Sequence, residues 1–89
     1  MIRKITSPES LGQALRDERK QKHLSQLCAG HSVGIAQYIV SKIEKGNPAT
    51  ELGTVFRLLA ALDLELLIQP RGKGIQKIQQ SEGQAGDEW

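Results

Sequence analysis

The sequence predicts a small all-α domain of about five helices, organised around a helix-turn-helix and closed by a short C-terminal strand. Three observations carry this. Apolar residues recur at helical spacing between residues 8 and 62, with glycines breaking the runs at Gly34 and Gly46. One segment, "LELLIQP" at 64–70, switches to a period of two. From residue 71 onward the chain is polar and glycine-containing, with no apolar periodicity beyond Ile75 and Ile78.

With 89 residues, the chain has room for one small domain. Aromatics are 3% of it, so the core must come from Leu, Ile, Val and Ala. Such a core is marginal alone, and pairing with a second copy would add much. The expected organisation is a folded unit over 1–70 and a flexible tail over 71–89. A single cysteine rules out an intrachain disulfide and fits a reducing cytosol. No apolar run approaches a membrane span, and "MIRKITSPES" lacks a signal-peptide stretch, so a cytoplasmic protein is expected. A net charge of +2 permits nucleic acid as a partner without arguing for it.

The first helix is predicted over 8–22. Ser7 can cap it, Pro8 suits its first position and Glu9 suits the positive helix end. Leu11, Ala14 and Leu15 form its apolar stripe. Ser25 caps a short second helix running to about residue 32, which Gly34 stops. "IAQYIVSKIEKG" resumes helically: Ile39, Val40 and Ile43 share one face, while Gln37, Tyr38, Ser41, Lys42 and Lys45 fall mostly on the other. Gly46 ends it. A further helix follows "NPAT", with Leu52, Val55, Phe56, Leu59 and Ala60 as its expected buried stripe.

In the next segment Leu64, Leu66 and Ile68 alternate with Glu65, Leu67 and Gln69, which reads as a strand. No second strong strand exists to pair with it, and a lone buried strand leaves backbone groups unpaired. The simplest partner is the same strand of a second subunit, giving a two-stranded intersubunit β-ribbon. The alternative is a helix end that trails off.

Two short helices joined by a glycine-containing turn suggest a helix-turn-helix. In that arrangement one helix crosses the DNA backbone and the next inserts its exposed face into the major groove. The second must then pair an apolar inner face with side chains that reach base edges. Gln37 can bond adenine twice, Tyr38 offers a ring to a thymine methyl, and Ser41 suits a base edge. Ser25, Gln26, Lys42 and Lys45 suit phosphate.

The stretch "SQLCAGHSVGIAQYIVSKIEKG" resembles the helix-turn-helix segment of Cro/repressor-type (XRE-like) DNA-binding proteins. The matching features are Gln26 opening the first motif helix, the turn Val33–Gly34, Gln37, and "SKIEKG". The resemblance implies a λ-repressor-like fold and an ion pair between Arg19 on the first helix and Glu44; the plainer reading leaves Arg19 among the solvated charges of "RDERKQK". Over nearly its full length the chain is similar to HipB-type antitoxins, which accompany HipA-type serine/threonine kinase toxins. "KITSPESLGQAL", "LDLELLIQ" and the tail ending in Trp89 carry that likeness. It implies a homodimer bound to an inverted-repeat operator, repression of its own operon, and a tail whose Glu88 and Trp89 dock in a kinase pocket. Departures from the pattern are Ala29–Gly30, where relatives have Leu-Ala, and Ala36, at a base-reading position where a basic or polar residue is more usual. Gly30 is a poor helix former, costing about 1 kcal/mol relative to Ala, and predicts a short or irregular second helix.

Other signals point away from chemistry. Cys28 and His31 share a helix face, but two ligands are too few for a structural zinc site, and the cysteine reads as a small, semi-buried hydrophobe. No catalytic triad, carboxylate pair or phosphate loop is visible, so neither an enzyme nor a cofactor is expected. Two other roles stay open: a stand-alone regulator without a protein partner, and a repressor subunit in a three-component system whose main antitoxin is another protein.

Overall fold

The structure is a computed structural model and describes residues 2–72. The residues expected to act in the tail, Ile75, Ile78, Glu88 and Trp89, lie outside the described residues. Four helices are present among them rather than about five: α1 (Pro8–Gln21), α2 (Gln26–His31), α3 (Gln37–Glu44) and α4 (Leu52–Ala61).

Each helix starts and stops for local reasons. Ser7 caps α1 through a reciprocal pair with Ser10: the Ser10 backbone N–H donates to Ser7 Oγ at 3.0 Å, and the Ser7 N–H donates to Ser10 Oγ at 3.1 Å. Ser25 caps α2 by accepting from the Cys28 N–H at 3.0 Å. All four helices end in the same closure, in which a residue with positive φ turns the chain back. Those residues are His23 (φ 58°), Gly34 (73°), Gly46 (86°) and Asp63 (60°). The next N–H then returns to a carbonyl five residues earlier: Leu24 to Arg19, Ile35 to Gly30, Asn47 to Lys42 and Leu64 to Leu59, at 2.8–3.1 Å. The sequence marks the two glycines; His23 and Asp63 carry no such mark.

The core is Leu15 from α1, Ala29 from α2, Ile35 from the turn, Val40 and Ile43 from α3, and Val55, Leu58, Leu59 and Leu62 from α4. Gly30 is buried at its tightest point. A Cβ there would collide with the Ile35 carbonyl oxygen and meet Val40 Cγ2 at 2.9 Å. The position that looks like a helix defect in the sequence is the one that lets α2 and α3 approach. α2 spans only six residues, but it closes with regular hydrogen bonds.

Two expectations, the buried stripe of α4 and the burial of Cys28 on α2, are corrected. Val55 and Leu59 are buried, with Thr54 and Leu58, but Leu52 and Phe56 are 65% and 50% exposed, and Ala60 is also exposed. The helix carries apolar residues on two sides, and periodicity does not say which side meets the chain's own core. Cys28 is exposed rather than semi-buried. Beyond Asp63, Leu64 packs on the core, but Leu66, Leu67 and Ile68 are exposed, Ile68 completely. Residues 64–70 form neither helix nor strand within the single chain. No helix among the described residues is long and apolar enough to cross a membrane.

Candidate nucleic-acid interface

The α2–α3 unit presents one polar surface. Ala36 is the N-cap residue of α3 and supplies no side-chain cap. It is exposed together with Gln37, Tyr38, Lys42 and Lys45, while Ser41 is half-buried. Gln37 and Tyr38 occupy the first turn of α3, the end that a recognition helix offers to base edges. Lys42 stands one turn beyond Tyr38, with its ammonium 5.7 Å from the ring centroid. That spacing is a cation–π contact, so the ring and the charge steady each other on the exposed face.

Behind this face lies a closed polar network. Arg19 donates to Glu44 through two nitrogens, Nε to Oε2 at 2.7 Å and Nη2 to Oε1 at 2.9 Å. Arg19 Nη1 donates to the Leu24 carbonyl at 2.8 Å, beyond the end of α1. Gln26 Nε2 donates to the same Oε1 of Glu44 at 3.0 Å. Arg19 and Glu44 are only 7% and 8% exposed. The hydrogen bond to the Glu44 carboxylate holds the Arg19 proton more tightly than usual, and burial works against it. The bidentate pair ties α1 to the C-terminal turn of α3. α1 comes this close because Gly12 has no side chain: a Cβ would strike the carbonyl oxygens of Ile43 and Glu44.

Gln26 thus has an internal partner, while one amide hydrogen remains for an outside acceptor. Ser25 spends one oxygen lone pair on the Cys28 N–H and keeps its hydroxyl hydrogen. Both sit at the start of α2, and the Gln26–Glu44 bond couples them to α3. Arg57 is a residue that the sequence pattern does not single out. It reaches from α4 to the Val33 carbonyl at 3.1 Å, across the turn between α2 and α3.

No protein-family model matches the chain. Antitoxin HipB of Escherichia coli (strain K12) is 32% identical over 67 residues, covering 75% of this chain and 76% of that protein. The chain belongs to the HipB antitoxin family. Its fold agrees: a chain of a HipB–O2 20mer complex superposes with a TM-score of 0.75 at 32% identity, over 81% of this chain and 100% of that chain. The HipB match in a HipA–HipB–O2–O3 complex has a TM-score of 0.76 at 30% identity, over 80% of this chain and 100% of the other. Beside these HipB relatives stands the ImmF control region 10 kDa protein of Bacillus phage phi105, 34% identical over 61 residues, 66% of this chain and 68% of that protein.

Proposed function

We propose that the chain is a sequence-specific DNA-binding repressor that serves as the antitoxin, or as part of the antitoxin complex, of a HipA-like kinase. The observation that carries this is the match to the full length of HipB chains solved with a 20mer and with HipA. In this reading α3 enters the major groove, with Ala36, Gln37, Tyr38 and Ser41 at base edges. Ser25, Gln26, Lys42 and Lys45 hold phosphate on either side.

The working form is a homodimer. The exposed apolar residues Leu52, Phe56 and Ala60 of α4, with Leu66 and Ile68 of the segment after Leu64, are what the single chain offers a second copy. Pairing two 64–68 segments as a ribbon would satisfy backbone groups that have no ladder partner in one chain. Residues 1–70 are then the DNA-binding and dimerisation unit, and residues 71–89 carry the kinase contact, with Glu88 and Trp89 as its anchor. The test is co-purification of the neighbouring gene product, a HipA-like kinase in this reading, with the full chain and with a chain ending at residue 70. Capture by the full chain alone supports the reading. Equal capture by both moves the contact out of the tail, and capture by neither removes the kinase.

A second reading is a stand-alone regulator, and the likeness to a phage control-region protein favours it. In that case the chain ending at residue 70 binds its operator and represses as well as the full chain, and no kinase is recovered.

A further inference from the structure

The end of α3 that carries Gln37 and Tyr38 is held by few side chains. Ala36 provides no cap. The turn closes on itself through the Gly34 N–H to the His31 carbonyl at 3.2 Å and the Ile35 N–H to the Gly30 carbonyl at 2.8 Å. Ile35 is buried beneath it. From another helix, among the described residues, one side chain hydrogen-bonds to it. That side chain is Arg57, whose Nη1 reaches the Val33 carbonyl across 24 residues of sequence. The same nitrogen lies 3.7 Å from where a Cβ on Gly34 would stand, so it covers the residue with φ of 73°.

We infer that Arg57 is a positioning residue for base reading: its guanidinium fixes the turn and so the angle at which Gln37 and Tyr38 are presented. This rests on the DNA-binding reading of α3. The physical basis is that a charge-assisted hydrogen bond to a carbonyl is stronger than a neutral one. A small tilt at the start of a helix also displaces every side chain in its first turn, and recognition by paired hydrogen bonds tolerates little displacement. Arg57 forms no salt bridge among the described residues, so this bond is not a by-product of one. The rival role for an exposed arginine in this place is a direct phosphate contact. The two differ in what they do to specificity.

The experiment uses the full chain as wild type, Arg57→Met and Arg57→Lys. Arg57→Met keeps an apolar stem and loses the donors; Arg57→Lys keeps one charged donor. The probes are the duplex that the wild-type chain selects from a random pool and a scrambled duplex of equal length. Amide exchange is read on the free protein. For Arg57→Met the expected loss is about ten-fold on the selected duplex, with the scrambled duplex and the salt dependence unchanged. Exchange should quicken at Ile35, Ile39 and Val40 and stay unchanged in α1. Arg57→Lys should recover part of the discrimination. An equal loss on both duplexes, with a salt slope shallower by about 0.9, makes Arg57 a phosphate contact and overturns the inference. Unchanged exchange at the turn, or undiminished discrimination between the duplexes, overturns it as well. If the wild-type chain selects no duplex, the repressor reading fails, and exchange alone still shows whether Arg57 fixes the turn.

Discussion

Around Glu44 the buried polar atoms all have partners, whereas α4 turns Leu52, Phe56 and Ala60 toward solvent. Within the first region, Arg19, Glu44 and Gln26 satisfy one another, and no buried side-chain nitrogen or oxygen among the described residues lacks a hydrogen bond. In the second, Leu52, Phe56, Leu66, Leu67 and Ile68 are exposed in a chain with only a small core to spare. The contrast separates two kinds of completeness. One chain by itself holds α1, α2 and α3 in register. The apolar residues of α4 and of 66–68 are left open by the other described residues, and in the proposed dimer the second copy covers them.

The sharpest way to break the first region is Glu44→Ala. It leaves the Arg19 guanidinium buried without a counter-ion and Gln26 without its acceptor. The expected cost is about 3–5 kcal/mol, read as a lower urea midpoint at constant slope. Removing both charges with Arg19→Met and Glu44→Leu together should return much of that loss, because an apolar pair of similar size leaves no buried charge unpaired, although the Leu24 carbonyl and the Gln26 amide each lose a partner. A Glu44→Ala cost below about 1 kcal/mol would mean that water reaches Arg19.

The second region is tested by Phe56→Asp. A charge in the middle of the α4 face should weaken self-association by about 2 kcal/mol or more, roughly thirty-fold, measured by sedimentation equilibrium. The fold should survive, because Phe56 lies outside the chain's own core. If Phe56→Asp stays dimeric at the same concentrations as wild type, the α4 face is not where the copies meet, and the proposed interface shrinks to residues 64–68.

These two regions were also unequally legible in the sequence. The four helices of the described region, their rough bounds and the turn at Gly34 follow from spacing and caps, which are local properties. The Arg19–Glu44 pair came only with the family likeness. A guanidinium and a carboxylate 25 residues apart give no periodic signal, and Arg19 sits among other charges in "RDERKQK". Gly30 looked like a weak helix position because propensity is local, while its reason is the approach of Ile35 and Val40. Leu52, Phe56 and Ala60 carry a core-like spacing yet are exposed, for a related cause. Helical spacing marks an apolar face and is silent on whether that face meets the same chain. Arg57 gave no signal, since its acceptor is a backbone carbonyl and any residue has one.

A substitution on the face itself sharpens what the closed network is for. If the Glu44 cluster serves to hold α3 ready, then Gln37→Ala should change recognition without changing stability. Base preference should relax at one position in each half-site, at a cost of about 1–3 kcal/mol. Lys45→Ala should behave differently, weakening all duplexes alike and making the salt slope shallower by about 0.9. Binding that ignores both substitutions would place the reading face elsewhere than α3.

The smallest effect belongs to the N-terminal arm, where one surface ion pair joins Arg3 to α1. Arg3 Nη1 donates to Asp17 Oδ2 at 2.7 Å, and Gln13 Nε2 donates to Asp17 Oδ1 at 2.9 Å. The Arg3 hydrogen bond, then that of Gln13, holds the Asp17 carboxyl below its ordinary value, with the charges of Arg3 and Arg16 adding and slight desolvation opposing. A carboxylate with a lowered folded pKa contributes above its unfolded value and loses that contribution as pH falls through the folded one. The arm should therefore stay docked at neutral pH and detach only in acid, seen as a pH-dependent shift of the Arg3 side-chain NMR signals. Asp17→Asn should detach it at neutral pH while the unfolding midpoint stays where it was, because exposed pairs add little to stability. A midpoint that dropped with Asp17→Asn would make the arm part of the closed region around Glu44, and the boundary drawn between the two regions would have to move to include it.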